Sequence, residues 1–148
     1  MTKDKEKYEA ITPEMAQMLE RRAKCNIFAQ YLGIKIVENR KGYSKCELEI
    51  REEFLNPSHT VHGGCIYTLA DVTVGNAAAA YGYTAPTLEA GLHYLAAAKG
   101  VEKLYAVAKE IHHGRTVMVF SVDVSDGQGK IFASGTFSFF NTGMALSF

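Results

Sequence analysis

The sequence predicts an α+β domain in which a curled antiparallel sheet of five to six strands wraps around one long central helix. Three observations predict it. The stretch His62 to Tyr81 is compatible with helix and carries a single formal charge, Asp71, so no face of it is strongly polar. A helix apolar nearly all round has to be buried. Segments on both sides of it alternate apolar and polar residues at period two, the pattern of half-buried strands. The connections between consecutive strands are short, which favours antiparallel neighbours because a parallel pair needs a long crossover. A lone helix bordered by strands hides all its sides only if the sheet curls around it and something else closes the gap.

The elements follow in order. Thr12-Pro13-Glu14 reads as a helix start, a capping hydroxyl followed by proline in the first turn, and Met15, Met18, Leu19 and Arg22 recur at helical spacing. A short amphipathic helix before Gly33 is expected. From Gly33 the period becomes two: Ile34 and Ile36 alternate with Lys35. Past a turn at Asn39-Arg40-Lys41-Gly42, residues Cys46, Leu48 and Ile50 alternate with Lys45, Glu47 and Glu49. This is a hairpin with one wet face. The long helix comes next, and Gly75 with Ala77 to Ala80 lets a sheet approach it closely. Four further strands are expected, at about Thr87 to Ala97, Leu104 to His112, Thr116 to Val124 and Ile131 to Phe140, punctuated by Gly100, Gly114 and Asp126-Gly127.

Bulk properties narrow the function classes. The 148 residues suit one domain, without internal repeats or low-complexity linkers. The boundaries expected are an N-terminal helical extension over 1–32 and a main unit over 33–148. Sixteen basic and sixteen acidic residues balance, which removes the general electrostatic argument for a nucleic-acid or anionic-membrane partner. The run Met1-Thr2-Lys3-Asp4-Lys5-Glu6-Lys7 is charged and lacks a secretory apolar stretch, so a cytoplasmic location is expected. Asp71, Asn76, two threonines and Gly75 argue against the long helix as a membrane span. Cys25, Cys46 and Cys65 match neither a disulfide framework nor a zinc spacing, and no metal site is expected from them or from His59, His62, His112 and His113.

Burying a carboxylate costs several kcal/mol unless partners compensate, so the lone Asp71 reads as a functional group rather than ornament. Asn56, then six residues, Gly63-Gly64, and a helical Asp71 seven residues further on form a specific constellation. Together with the element order, Asn56, His62-Gly63-Gly64 and Leu69-Ala70-Asp71 resemble the hotdog-fold acyl-CoA thioesterases, in the branch named for phenylacetic acid degradation (PaaI-like). The resemblance covers about Gly33 to Phe140. It implies hydrolysis of a CoA thioester, aryl or aliphatic, to free acid and CoA. Coenzyme A would enter only as part of the substrate, with no other cofactor.

Such chemistry needs a polarised carbonyl, a base or nucleophile, and an apolar slot. A helix opening at Gly63-Gly64 exposes unpaired amides and the positive end of the helix dipole, suited to a developing oxyanion. Asp71 would act as general base toward water or as direct nucleophile, and the sequence leaves both open. Seven residues at a rise of 1.5 Å put Asp71 roughly 10 Å along the axis from Gly64, so one helix cannot present both to one carbonyl. A two-fold dimer joining the amide end of one helix to Asp71 of the other resolves this. The resemblance implies the same composite site, with two hotdogs side by side and often a dimer of dimers. It also implies that Asn56 orients the carbonyl or the water, that His62 holds the loop before the helix, and that Gly64 supplies the oxyanion amide. It places Gly63, Thr87 and Tyr94 as substrate-binding positions, Thr87 putting a hydroxyl near the carboxylate. Lys99, Arg115 and Lys130 are candidates for the CoA phosphates.

Competing readings stand beside these. Asp71 could be a structural carboxylate at a dimer seam, and Gly63-Gly64 a packing turn. Cys65 at the helix start reads as apolar filler, since no group is placed to activate it. Tyr67, Tyr81, Tyr83, Phe137 and Phe139 are expected in the core. A non-catalytic acyl-CoA sensor is the alternative function. A hotdog hydratase would need a histidine near its carboxylate, and Val72 to Tyr81 contains none.

Overall fold

The computed structural model describes residues 5–148; Met1 to Asp4, part of the charged N-terminal run, lie outside the described residues. Helix α1 spans Pro13–Cys25 and α2 Ile27–Leu32. Strands β1 (Lys35–Arg40) and β2 (Tyr43–Glu49) precede the long helix α3 (Gly63–Ala79). Strands β3 (Thr87–Tyr94), β4 (Lys103–His113), β5 (Val117–Ser125) and β6 (Ile131–Phe140) follow it.

Local chemistry sets these limits. Thr12 caps α1, its hydroxyl accepting from the Met15 amide at 3.2 Å, with Pro13 in the first turn. Asn26 ends α1 and starts α2, its side chain accepting from the Ala29 amide, and Gly33 closes α2 in the left-handed region at φ 82°. This second helix, six residues long, went unread in the sequence. The hairpin turn is tighter than Asn39 to Gly42: Asn39 and Arg40 stay in β1, paired with Ser44 and Tyr43. Only Lys41 and Gly42 make the turn.

All neighbouring strands are antiparallel, in the order β1-β2-β4-β5-β6-β3. Among the described residues six strands are thus present, at the upper end of the expected number. Although β3 and β4 are consecutive in sequence, they are not neighbours: β3 crosses to the far edge and pairs with β6. Helix α3 packs against the sheet, chiefly on β2, β4 and β5.

The core lies between helix and sheet. Leu69, Val74, Phe120, Phe132 and Phe137 are fully enclosed there, each worth roughly 1.5–3 kcal/mol of burial. A smaller cluster joins Leu19 of α1 to Ala79, Ala80 and Leu146, tying the N-terminal helix to the end of α3.

The helix is not buried on all sides, as its composition led us to expect. From Thr73 to Ala80 it is sealed, but Gly64 and Tyr67 are exposed and Thr68 and Asp71 half-exposed, one face at helical spacing. Tyr67 and Tyr83 correspondingly lie at the surface, whereas Phe137 and Phe139 are in the core. Tyr81 is half-buried and packs against the tilted His113 ring, centroids 4.3 Å apart. No helix of the described residues is long and apolar enough to cross a membrane.

Candidate active site

The exposed face of α3 holds Asp71, whose Oδ1 accepts a hydrogen bond from the Thr87 hydroxyl at 2.9 Å. Thr87 begins β3, and the pairing of β3 with β6 shifts register between Thr87 and Glu89. A bulge of this kind re-aims a side chain. Burial raises the Asp71 carboxyl above the ordinary carboxylate range; the Thr87 hydroxyl and the positive charge of Arg22 pull the other way. The result is an acid readier than usual to hold a proton.

Arg22 was legible only as a member of the helical stripe on α1. It lies against α3, donating from Nη1 to Asn76 Oδ1 at 2.8 Å. Asn76, buried inside α3, donates in turn to the Cys46 sulfur at 3.5 Å. The signal available beforehand was a charged residue in an otherwise apolar repeat.

A second group of predicted residues gathers at the start of α3. His62 is the N-cap, and its Nδ1 accepts from the Gly64 amide at 2.9 Å, so the amide proposed for an oxyanion already has a partner within the chain. The ring proton is then on Nε2. Tyr94, at the end of β3, donates its hydroxyl to the Gly63 carbonyl at 2.9 Å.

Asn56 turns inward on its own loop. Its Oδ1 accepts from the amides of Ser58 and Thr60, and its Nδ2 donates to the Thr60 hydroxyl at 2.8 Å. His59, the one described non-glycine residue at positive φ (57°), sits in the same loop. Asn56, Gly63, Ile66, Tyr94 and Leu95 border a groove of about 360 Å³. A larger groove of about 490 Å³ runs between α1 and β1 and touches none of the predicted site residues.

The predicted residues therefore fall into two sets within one chain: Asn56, His62, Gly63, Gly64 and Tyr94 at the tip of α3, and Asp71 with Thr87 two turns along. Cys65, half-buried, has a thiol pushed up by burial, the reverse of an activated nucleophile. Among the described residues no three His, Cys, Asp or Glu side chains are grouped to hold a metal ion.

Comparison with known proteins identifies the family. The Thioesterase superfamily model matches residues 58–133, which include the whole of α3 and Asp71. Human acyl-coenzyme A thioesterase 13 is 28% identical over 130 residues, covering 85% of this chain and 93% of the relative. The structure of the Escherichia coli PaaI protein from the phenylacetic acid degradation operon superposes with a TM-score of 0.87 at 21% identity, covering 93% of this chain and all of that one. A hypothetical thioesterase protein from Streptococcus pneumoniae, crystallised with coenzyme A, gives a TM-score of 0.76 at 28% identity, over 83% of this chain and 98% of its own. With half its residues matched by the family model and its sheet wrapped on α3 in the hotdog manner, this chain belongs to the Thioesterase superfamily.

Proposed function

We propose that the protein is an acyl-CoA thioesterase whose site is composed of two chains. The observation that carries this reading is the Asp71–Thr87 pair: a half-buried carboxylate, its proton affinity raised, on the open face of the helix the family model spans. The human relative's name and the coenzyme A in the streptococcal structure support the substrate class.

In the proposed reaction, water attacks the thioester carbonyl while Asp71 takes its proton. The oxyanion of the tetrahedral intermediate receives the Gly64 N–H of the partner chain, replacing the His62 ring that holds this amide in the free chain. Collapse breaks the C–S bond, Asp71 returns the proton to the departing thiolate, and free acid and CoA leave. The Thr87 hydroxyl occupies Oδ1 and leaves the other carboxylate oxygen for water. Tyr94 fixes the helix tip through the Gly63 carbonyl and borders the groove for the acyl or pantetheine arm, beside Asn56.

Dimerisation supplies what one chain lacks. Strand β3 is a sheet edge, and its Leu88 and Tyr94 are 56% and 52% exposed. Pairing along this edge would extend the sheet, cover the open face of α3 and bring each Asp71 toward the other helix tip. A dimer of two such dimers fits the same reading.

The test is thiol release from aryl and aliphatic acyl-CoAs by wild type and Asp71→Asn at matched folding and oligomeric state. The expected loss in kcat is about 10²–10⁴-fold. Equal rates for both proteins on every substrate would refute the assignment of Asp71. Coenzyme A binding without thiol release from any substrate by wild type would refute the enzyme and leave a ligand-binding protein.

A further inference from the structure

Arg22 occupies a place on α1 that helical spacing from Met15, Met18 and Leu19 marks for an apolar residue. A cation there costs free energy unless something compensates. Among the described residues no carboxylate lies within 4.0 Å of it, and it donates instead to the neutral Asn76. The guanidinium rests on α3 beside Gly75, where a Cβ would stand 3.4 Å from Nη2. Gly75 is one turn beyond Asp71 on the same helix face. Glycine at 75 thus leaves room for the cation, and Asn76 anchors it on the turn of α3 that follows the acid.

We propose that Arg22, delivered by the N-terminal helix, is a positioning residue whose charge opposes the effect of burial and favours the carboxylate form of Asp71 that hydrolysis requires. This rests on Asp71 being the base. The coupling is reciprocal: burial pulls Arg22 down, and Asp71 is the foremost charge opposing that. The Thr87 hydroxyl favours the carboxylate first, and Arg22 adds a positive charge to it. Glu89 and His93, on the same strand as Thr87, are exposed, and the Cys46 thiol on β2 is pushed up by burial. Helix α2 carries no charged residue. Across the apolar flank of α3 a unit charge acts more strongly than in water.

The experiment is the pH dependence of kcat/KM for wild type, Arg22→Gln, Arg22→Lys and Asp71→Asn, each checked for native oligomeric state. Without the cation Asp71 binds its proton more tightly, so the acid limb of the Arg22→Gln profile moves to higher pH. Activity on that limb falls roughly three- to tenfold, while the alkaline plateau stays within about twofold of wild type. Arg22→Lys restores the limb. A proportional loss at every pH with an unmoved limb, or a limb that Lys does not restore, would overturn the proposal while leaving Asp71 as base. An Asp71→Asn enzyme as active as wild type would overturn both.

Discussion

Asp71 gives up folding stability for its reactivity. Burial raises its carboxyl more than Thr87 and Arg22 lower it, so the native chain binds that proton more tightly than the unfolded chain does. A group raised in this direction contributes its full stabilisation below the unfolded pKa and loses it as pH rises through the folded one. At neutral pH the ionised side chain therefore works against folding. Asp71→Asn is predicted to melt at the same or a higher temperature than wild type near pH 7, with the difference shrinking toward about pH 4. A carboxylate serving as a structural anchor would give the opposite, a clear loss of melting temperature at neutral pH. The sequence disclosed Asp71 because one charge on an apolar helix is conspicuous, and the hydroxyl near it only through the resemblance to the thioesterases. It did not disclose that the His62 ring caps the Gly64 amide or that Asn56 spends its amide on Thr60. Those bonds depend on a loop conformation, including the positive φ of His59, that no spacing rule reveals.

At the level of elements, β3 ties both halves of the candidate site to α3, through Thr87 at one end and Tyr94 at the other. Its fit against β6 requires glycine. A Cβ on Gly135 would meet the Gly91 carbonyl oxygen at 2.0 Å, which no side chain can do without moving backbone. Gly135→Ala is accordingly predicted to cost about 3 kcal/mol, lowering the melting temperature by about 6–12 °C. Thermal unfolding by circular dichroism checks this, and an unchanged transition would show that the two strands have slack. Periodicity disclosed the six strands and α3 to within a few residues. It could not place β3 beside β6, because a short link between β3 and β4 limits how far a strand travels without naming its neighbour. Helix α2 escaped because six residues are less than two turns, too few for a period to emerge. The division at residue 32 marks a change of period rather than a break in packing. We propose that residues 5–32 and 33–148 fold as one body, since Leu19, Ala29 and Leu32 are all buried.

Across the whole molecule, apolar surface and chemistry share one open side. Tyr67, Leu88 and Tyr94 are exposed around Asp71 and the tip of α3, on the edge where the sheet ends. Composition foreshadowed this, because an apolar helix with one acid needs a cover that a single sheet does not complete. The identity of that cover was inferred from helix geometry, the roughly 10 Å between Gly64 and Asp71. Complementation tests it most directly. Asp71→Asn removes the acid from one chain, and Gly64→Pro removes the amide hydrogen from the other at a first-turn position where helices tolerate proline. Each homodimer should be inactive in thiol release. Co-refolded heterodimers should hold one intact site and one doubly damaged site, recovering about half of wild-type activity per heterodimer. Two inactive parents whose heterodimers remain inactive would place both groups in a single chain and contradict the account.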